Sequence, residues 1–136
     1  MNNIDIDDFK NKKEYINFIN KNKGSGNLII RAYAANEAIP ISNVKIVVSL
    51  VIDNSNVVFF SGITDASGMI PKITLPAPIY NDDNLVEPLY TVYDITAIYN
   101  GNEYTYKVNL YDDICVLQTI NIVPDVMERK FYYYGS

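Results

Sequence analysis

The side chains available for chemistry are sixteen carboxylates, eleven lysines and arginines, twelve tyrosines and one thiol, with no histidine. The commonest general base at neutral pH and the commonest zinc ligand are therefore both missing. Cys115 stands alone in a Val- and Ile-rich segment, so it forms no internal disulfide and has no imidazole to activate it. It reads as a small packing residue. Asp82 and Asp83, beside Asn81, Asn84 and Glu87, are oxygen ligands of the kind Ca²⁺ prefers, but the Asp-x-Asp-x-Asp-Gly spacing of a calcium loop is absent. A Pro-flanked acidic loop of this kind reads as solvated, and Asp112 and Asp113 read as turn residues. Glycosidase chemistry needs two acids held across a cleft. Of the carboxylates that invite that reading, Asp65 is expected to bond its own turn, and Asp94 and Glu103 fall on outward strand positions. No Gly-x-Gly-x-x-Gly or phosphate-loop pattern occurs. No catalytic, metal-binding or cofactor-binding residue is assigned, and the expectation is a protein that is not an enzyme.

Twelve tyrosines also invite carbohydrate binding, since sugar faces stack on aromatic rings. Tyr93, Tyr99, Tyr104 and Tyr106, however, alternate into predicted core positions and suit pairing across neighbouring strands. Tyr33, Tyr80, Tyr90 and Tyr111 stay open. The chain has 136 residues, the size of one domain with a real core. Its net charge of −5 and scattered basic residues make nucleic acid an unlikely ligand, because phosphate recognition needs clustered Lys and Arg. Polar residues interrupt every apolar run, so no transmembrane segment is expected. Residues 1–14 lack the apolar region and cleavage site of a secretory signal, which leaves cytoplasmic synthesis as the expectation.

The elements follow from period and punctuation. Acids at 5, 7 and 8 precede a weakly amphipathic run, which predicts one short helix over 7–20. Residues 21–26, with Gly24 and Gly26 among polar residues, read as a linker. From Asn27 the hydrophobic period falls to two, and seven strands are predicted over 28–35, 44–52, 57–63, 69–75, 90–99, 103–111 and 114–123. Asp53-Asn54-Ser55-Asn56 and Asn100-Gly101 suit tight hairpins, and Gly68 suits a left-handed turn position. Val44, Ile46, Val48 and Leu50 share one face; so do Tyr93, Ile95, Ala97 and Tyr99, and likewise Tyr104, Tyr106, Val108 and Leu110. Residues 76–88, with three prolines and three acids, read as an exposed excursion. The expected architecture is an all-β, seven-stranded sandwich over 27–125, preceded by a helical arm and linker over 1–26 and followed by an aromatic tail over 126–136.

Gly62 to Pro78, GITDASGMIPKITLPAP, resembles the carboxypeptidase regulatory-like domain, as does the stretch Ala38-Ile39-Pro40-Ile41-Ser42-Asn43-Val44-Lys45-Ile46. The resemblance implies a small transthyretin-like sandwich. Pro88 to Asp94 and Leu117 to Pro124 look closer to a subgroup in spore-forming bacteria that includes the non-catalytic N-terminal regions of spore cortex-lytic enzymes. That subgroup implies a setting on a bacterial cell or spore, and a cell-wall glycan as one partner class. Tyr133-Tyr134-Gly135-Ser136 also resembles the C-terminal Tyr-Arg-Gly-Ser of 5-hydroxyisourate hydrolase, whose histidines and arginine have no counterpart here.

The functional expectation rests on the two ends. The N-terminal arm carries Phe9, Ile16 and Ile19, and the tail carries four consecutive aromatics, Phe131, Tyr132, Tyr133 and Tyr134. Left in water, such a run is an aggregation liability. These residues are the candidate contacts of a structural or interaction protein that joins copies of itself or a protein partner through its arms. The alternative is a carbohydrate- or peptidoglycan-binding accessory module.

Overall fold

Two hairpins organise the larger sheet, and both turn where the sequence supplies residues that tolerate positive φ. The computed structural model describes residues 3–34, 38–79 and 89–123. Strands β4 (Lys45–Ile52) and β5 (Ser55–Ile63) are joined through Asp53 and Asn54 at φ of 47° and 67°. Strands β7 (Tyr90–Tyr99) and β8 (Asn102–Tyr111) are joined through Asn100 and Gly101 at 51° and 78°. Two consecutive left-handed residues match the twist of the flanking strands, the usual two-residue hairpin solution. β4 pairs with β7, and a short strand β1 (Asn3–Asp5) adds in parallel to β5. The sheet order is β1-β5-β4-β7-β8.

The smaller sheet is centred on β2 (Gly24–Ala34). On one side β2 runs parallel with β9 (Cys115–Asn121). On the other it pairs with β6 (Ile73–Ala77) at its start and β3 (Ile39–Pro40) at its end. The two sheets enclose one core, in which Leu28, Ile30, Ala32, Ile46, Val48, Tyr93, Ile95, Ala97, Leu110 and Ile120 are fully buried. Each large side chain so buried contributes about 1.5–3 kcal/mol of transfer free energy.

The all-β two-sheet sandwich is as the periodicity predicted, with corrections. Nine strands, not seven, occur among the described residues. β1 lies within the N-terminal region, and β3 is a two-residue strand that a Pro cuts short. The predicted strand over 69–75 begins only at Ile73, Met69 contributing a single bridge to Arg31. The single helix over 7–20 is two: α1 (Ile6–Phe9), opened by Asp5 accepting from the Asp7 amide at 2.9 Å, and α2 (Lys13–Lys21). The break falls at Lys10-Asn11-Lys12, a stretch without an apolar side chain.

Residues 24–26 are not a linker but the start of β2. Their glycines serve close approach: a Cβ on Gly26 would collide with the Tyr111 carbonyl, and one on Gly24 with the Asp112 carboxylate. The Asp113 amide donates to the Ser25 carbonyl at 2.8 Å, and the Ser25 amide donates to Asp112 Oδ1 at 3.1 Å. The arch carrying the chain from β8 to β9 is thereby seated on these residues.

Candidate functional site

The N-terminal arm folds back on its own domain. The five-stranded sheet is wider than its partner, and α1 packs over β5 while α2 reaches β4. A register shift between Val48 and Ser49 makes Phe59 the extra residue of a β-bulge, so Phe59 and Phe60 both pack on the core. Phe18 lies 6.0 Å from Phe59, and Phe59 meets Tyr93 edge-on at 5.3 Å. Phe9 is 1% exposed, with an edge contact to Tyr15, so this candidate contact residue is core rather than presented surface. Ile19 is half-buried, and Ile16 stays 59% exposed. Phe131, Tyr132, Tyr133 and Tyr134 lie outside the described residues, as do Asp82, Asp83 and Tyr80. Tyr93 is fully buried and its hydroxyl donates to the Pro76 carbonyl at 2.6 Å. Burial, with a lesser contribution from Tyr15, pushes its phenol well above the ordinary range.

The other chemistry-bearing residues disperse. Asp65 Oδ1 accepts from the Ser67 and Met69 amides at 2.9 and 3.0 Å, holding the turn in which Gly68 has φ of 75°, as expected. Asp94 faces out and pairs with Lys107 at 2.7 Å, while Glu103 is exposed at the start of β8, beside the Asn100-Gly101 turn. Among the described residues no three of His, Cys, Asp and Glu converge as metal ligands would, and no helix is long and apolar enough to cross a membrane. The core tyrosines do not pair with one another. Tyr104 opposes Ala97, Tyr106 opposes Ile95 and Tyr93 opposes Val108, each large ring set against an aliphatic side chain. Tyr90 and Tyr111 form a tilted, exposed pair at 5.5 Å, and Arg31 lies over the Tyr33 ring.

Two surface features remain. The outer face of the larger sheet carries a shallow cavity of about 490 Å³ lined by Ser49, Asn56, Asp94, Thr96, Thr105 and Lys107, among others. The second feature is the outer edge of β9, which pairs with no other strand among the described residues. The Ile122 amide donates to β2 at Tyr33, whereas the Asn121 and Val123 amides donate away from β2, to the Tyr106 and Tyr104 hydroxyls at 3.1 and 3.3 Å. Strand alternation then aims the backbone groups of Cys115, Leu117 and Thr119 outward as well. Their side chains lie on the outer face of the sheet: Leu117 is 53% exposed and Cys115 exposed, a correction to its expected packing role. The parallel register with β2 sets this phase, placing Val116 and Ile120 inward instead.

Four other edge strands are blunted. β1 has three residues, β3 two with Pro40, and β6 contains Pro76, which cannot donate. On β8, Tyr99 and Asn102 close the two-residue hairpin as a hydrogen-bonded pair, so the odd-numbered residues face outward, among them Glu103 and Lys107. Charges there oppose further pairing. β9 has neither charge nor Pro between Cys115 and Asn121. The sequence signal for it is the neutrality of this last strand.

No protein-family model matches the chain, and no curated protein matches it. Among solved structures it is similar to the crystal structure of BcpA, the major pilin subunit of Bacillus cereus. The two are 14% identical with a TM-score of 0.46 over 72% of this chain and 29% of the pilin chain. The chain thus spans less than a third of that pilin's length.

Proposed function

We propose that this chain is a non-enzymatic structural or interaction domain, built on a carboxypeptidase regulatory-like, transthyretin-like sandwich, that takes a protein partner or another copy of itself by strand addition at β9. The observation that supports this reading is the unguarded edge: outward backbone groups at Cys115, Leu117 and Thr119, no charge, no Pro, and an exposed Leu at the centre. The N-terminal arm serves the domain in cis, covering the overhang of the larger sheet. The aromatics Phe131 to Tyr134 add apolar surface to the assembly. A setting on a bacterial cell or spore surface is what the resemblance of residues 88–94 and 117–124 implies. Light scattering at rising concentration tests the reading: a mass above one chain is expected, lowered by Leu117→Lys. A strict monomer at the highest concentration refutes self-assembly.

The cavity on the outer face favours a second reading, a cell-wall glycan held by hydroxyls, an amide and the Asp94–Lys107 pair. Retention on purified peptidoglycan, weakened by a Thr96→Ala and Lys107→Ala double variant, is the expected result; no retention at low salt refutes it.

A further inference from the structure

Among the described residues, the unpaired part of the β9 edge has definite limits. On its C-terminal side the outward amides of Asn121 and Val123 are taken by Tyr106 and Tyr104. On its N-terminal side Asp113 is left-handed at φ of 61° and its amide is committed to Ser25, so the strand cannot continue outward. Three outward positions remain, Cys115, Leu117 and Thr119, with Leu117 in the middle.

An antiparallel neighbour must place outward residues opposite outward residues. For a second copy of this strand, pairing Leu117 with Leu117 sets Cys115 against Thr119 twice and engages all three positions. A shift of two residues along the strand loses one of them. The segment Cys115–Asn121 is neutral, so no like charges meet in this ladder even though the chain carries −5 overall. The Thr119 carbonyl accepts from Gln118 Nε2 at 3.0 Å, a contact its second lone pair can keep. Ile29, half-buried opposite Leu117 on β2, would widen the apolar strip on both sides of the axis.

We infer that the occupant of the β9 edge is a second copy of this chain, paired antiparallel about a twofold axis at Leu117 so that the two smaller sheets become one. This rests on the assembly reading above and fixes its partner and register.

Cross-linking of the full chain tests it. In the proposed register Cys115 and residue 119 of the neighbour have Cα atoms about 5.5 Å apart, within disulfide range, whereas the two copies of Cys115 are offset by about 13 Å along the strands at about 3.3 Å per residue, which puts them about 14 Å apart. Thr119→Cys is expected to give a covalent dimer under oxidised glutathione at about 1 mM chain, a concentration suited to an interface below the standard size. The native chain and the Cys115→Ser, Thr119→Cys variant are expected to give none. Because Thr119 also accepts from Arg31 Nε at 2.8 Å, folding of the variant is checked by its urea midpoint. The native chain supplies a second readout: the Cys115, Leu117 and Thr119 amides are expected to slow in hydrogen exchange by tenfold or more as concentration rises. Assembly without the cross-link and without that protection overturns the twofold register while leaving assembly standing, and points to another occupant such as the aromatic tail. A monomer at every concentration overturns both.

Discussion

Replacing Phe9 by Ala should detach the N-terminal arm and reveal what it contributes. Phe9 is 1% exposed, and truncating a ring so buried costs about 3–5 kcal/mol when the site cannot collapse. The arm's other contacts include the three-residue β1 pairing, the Asn56 side-chain amide donating to Asn3 Oδ1 at 2.9 Å, the Phe18–Phe59 contact, and the Asn22 side chain, which accepts from the Thr91 hydroxyl. The global loss cannot exceed the docking free energy of the arm, because a detached arm transmits nothing further. A loss of about 3 kcal/mol is expected, near the low end of the ring-truncation range. Far-UV circular dichroism during urea unfolding reports it, as there is no tryptophan to follow. With a slope of about 1–3 kcal/mol/M, the midpoint should fall by about 1–3 M. Amides of residues 56–58, which β1 covers, should exchange faster in native buffer. Ile16→Ser is the control, since a 59% exposed side chain should cost no more than about 0.5 kcal/mol. If Phe9→Ala costs under about 1 kcal/mol and exchange at 56–58 is unchanged, the arm is not held by this side chain.

Tyr93→Phe leaves the Pro76 carbonyl without its 2.6 Å donor and should cost about 1–2 kcal/mol at pH 7. Because burial raises the folded-state phenol above its unfolded value near 10, the unfolded chain loses that proton first. Native stability should therefore fall with rising pH above 10, by up to about 1.4 kcal/mol per unit more than in the Phe variant. A midpoint difference between the two proteins that stays constant from pH 9 to 11 would contradict this. Thr64→Val removes a buried hydroxyl that accepts from the Val44 amide at 3.0 Å and donates to the Ile41 carbonyl at 2.9 Å; chemical denaturation should show a loss of about 2–3 kcal/mol, with Thr64→Ser recovering most of it. Gly26→Ala drives a methyl group against the Tyr111 carbonyl, and a backbone atom cannot yield as a side-chain tip does, so about 2 kcal/mol and about 6–8 °C in Tm should be lost by calorimetry.

What the sequence determined by itself was local. Alternation assigned Val44, Ile46, Val48, Tyr93, Ile95, Ala97, Val108 and Leu110 to the core, because a strand's side-chain period is a property of the backbone. The turns at Asp53-Asn54, Gly68 and Asn100-Gly101 were equally legible, since the steric tolerance of positive φ belongs to the residue itself. Tertiary structure decided the rest. Gly24 and Gly26 look like a linker until the arch from β8 is brought against them, some eighty residues along the chain. Cys115 looks buried until the parallel register with β2 sets the phase of β9 and turns it outward. Asn3 to Asp5 becomes a strand only because β5 offers a free edge, and Phe9 becomes core only because the larger sheet overhangs the smaller. Which edge of the sandwich is left open is likewise a matter of which strands lie at the margins. A free N–H or C=O is created by the absence of a neighbour, and a neighbour is a property of the assembled sheets rather than of any one segment.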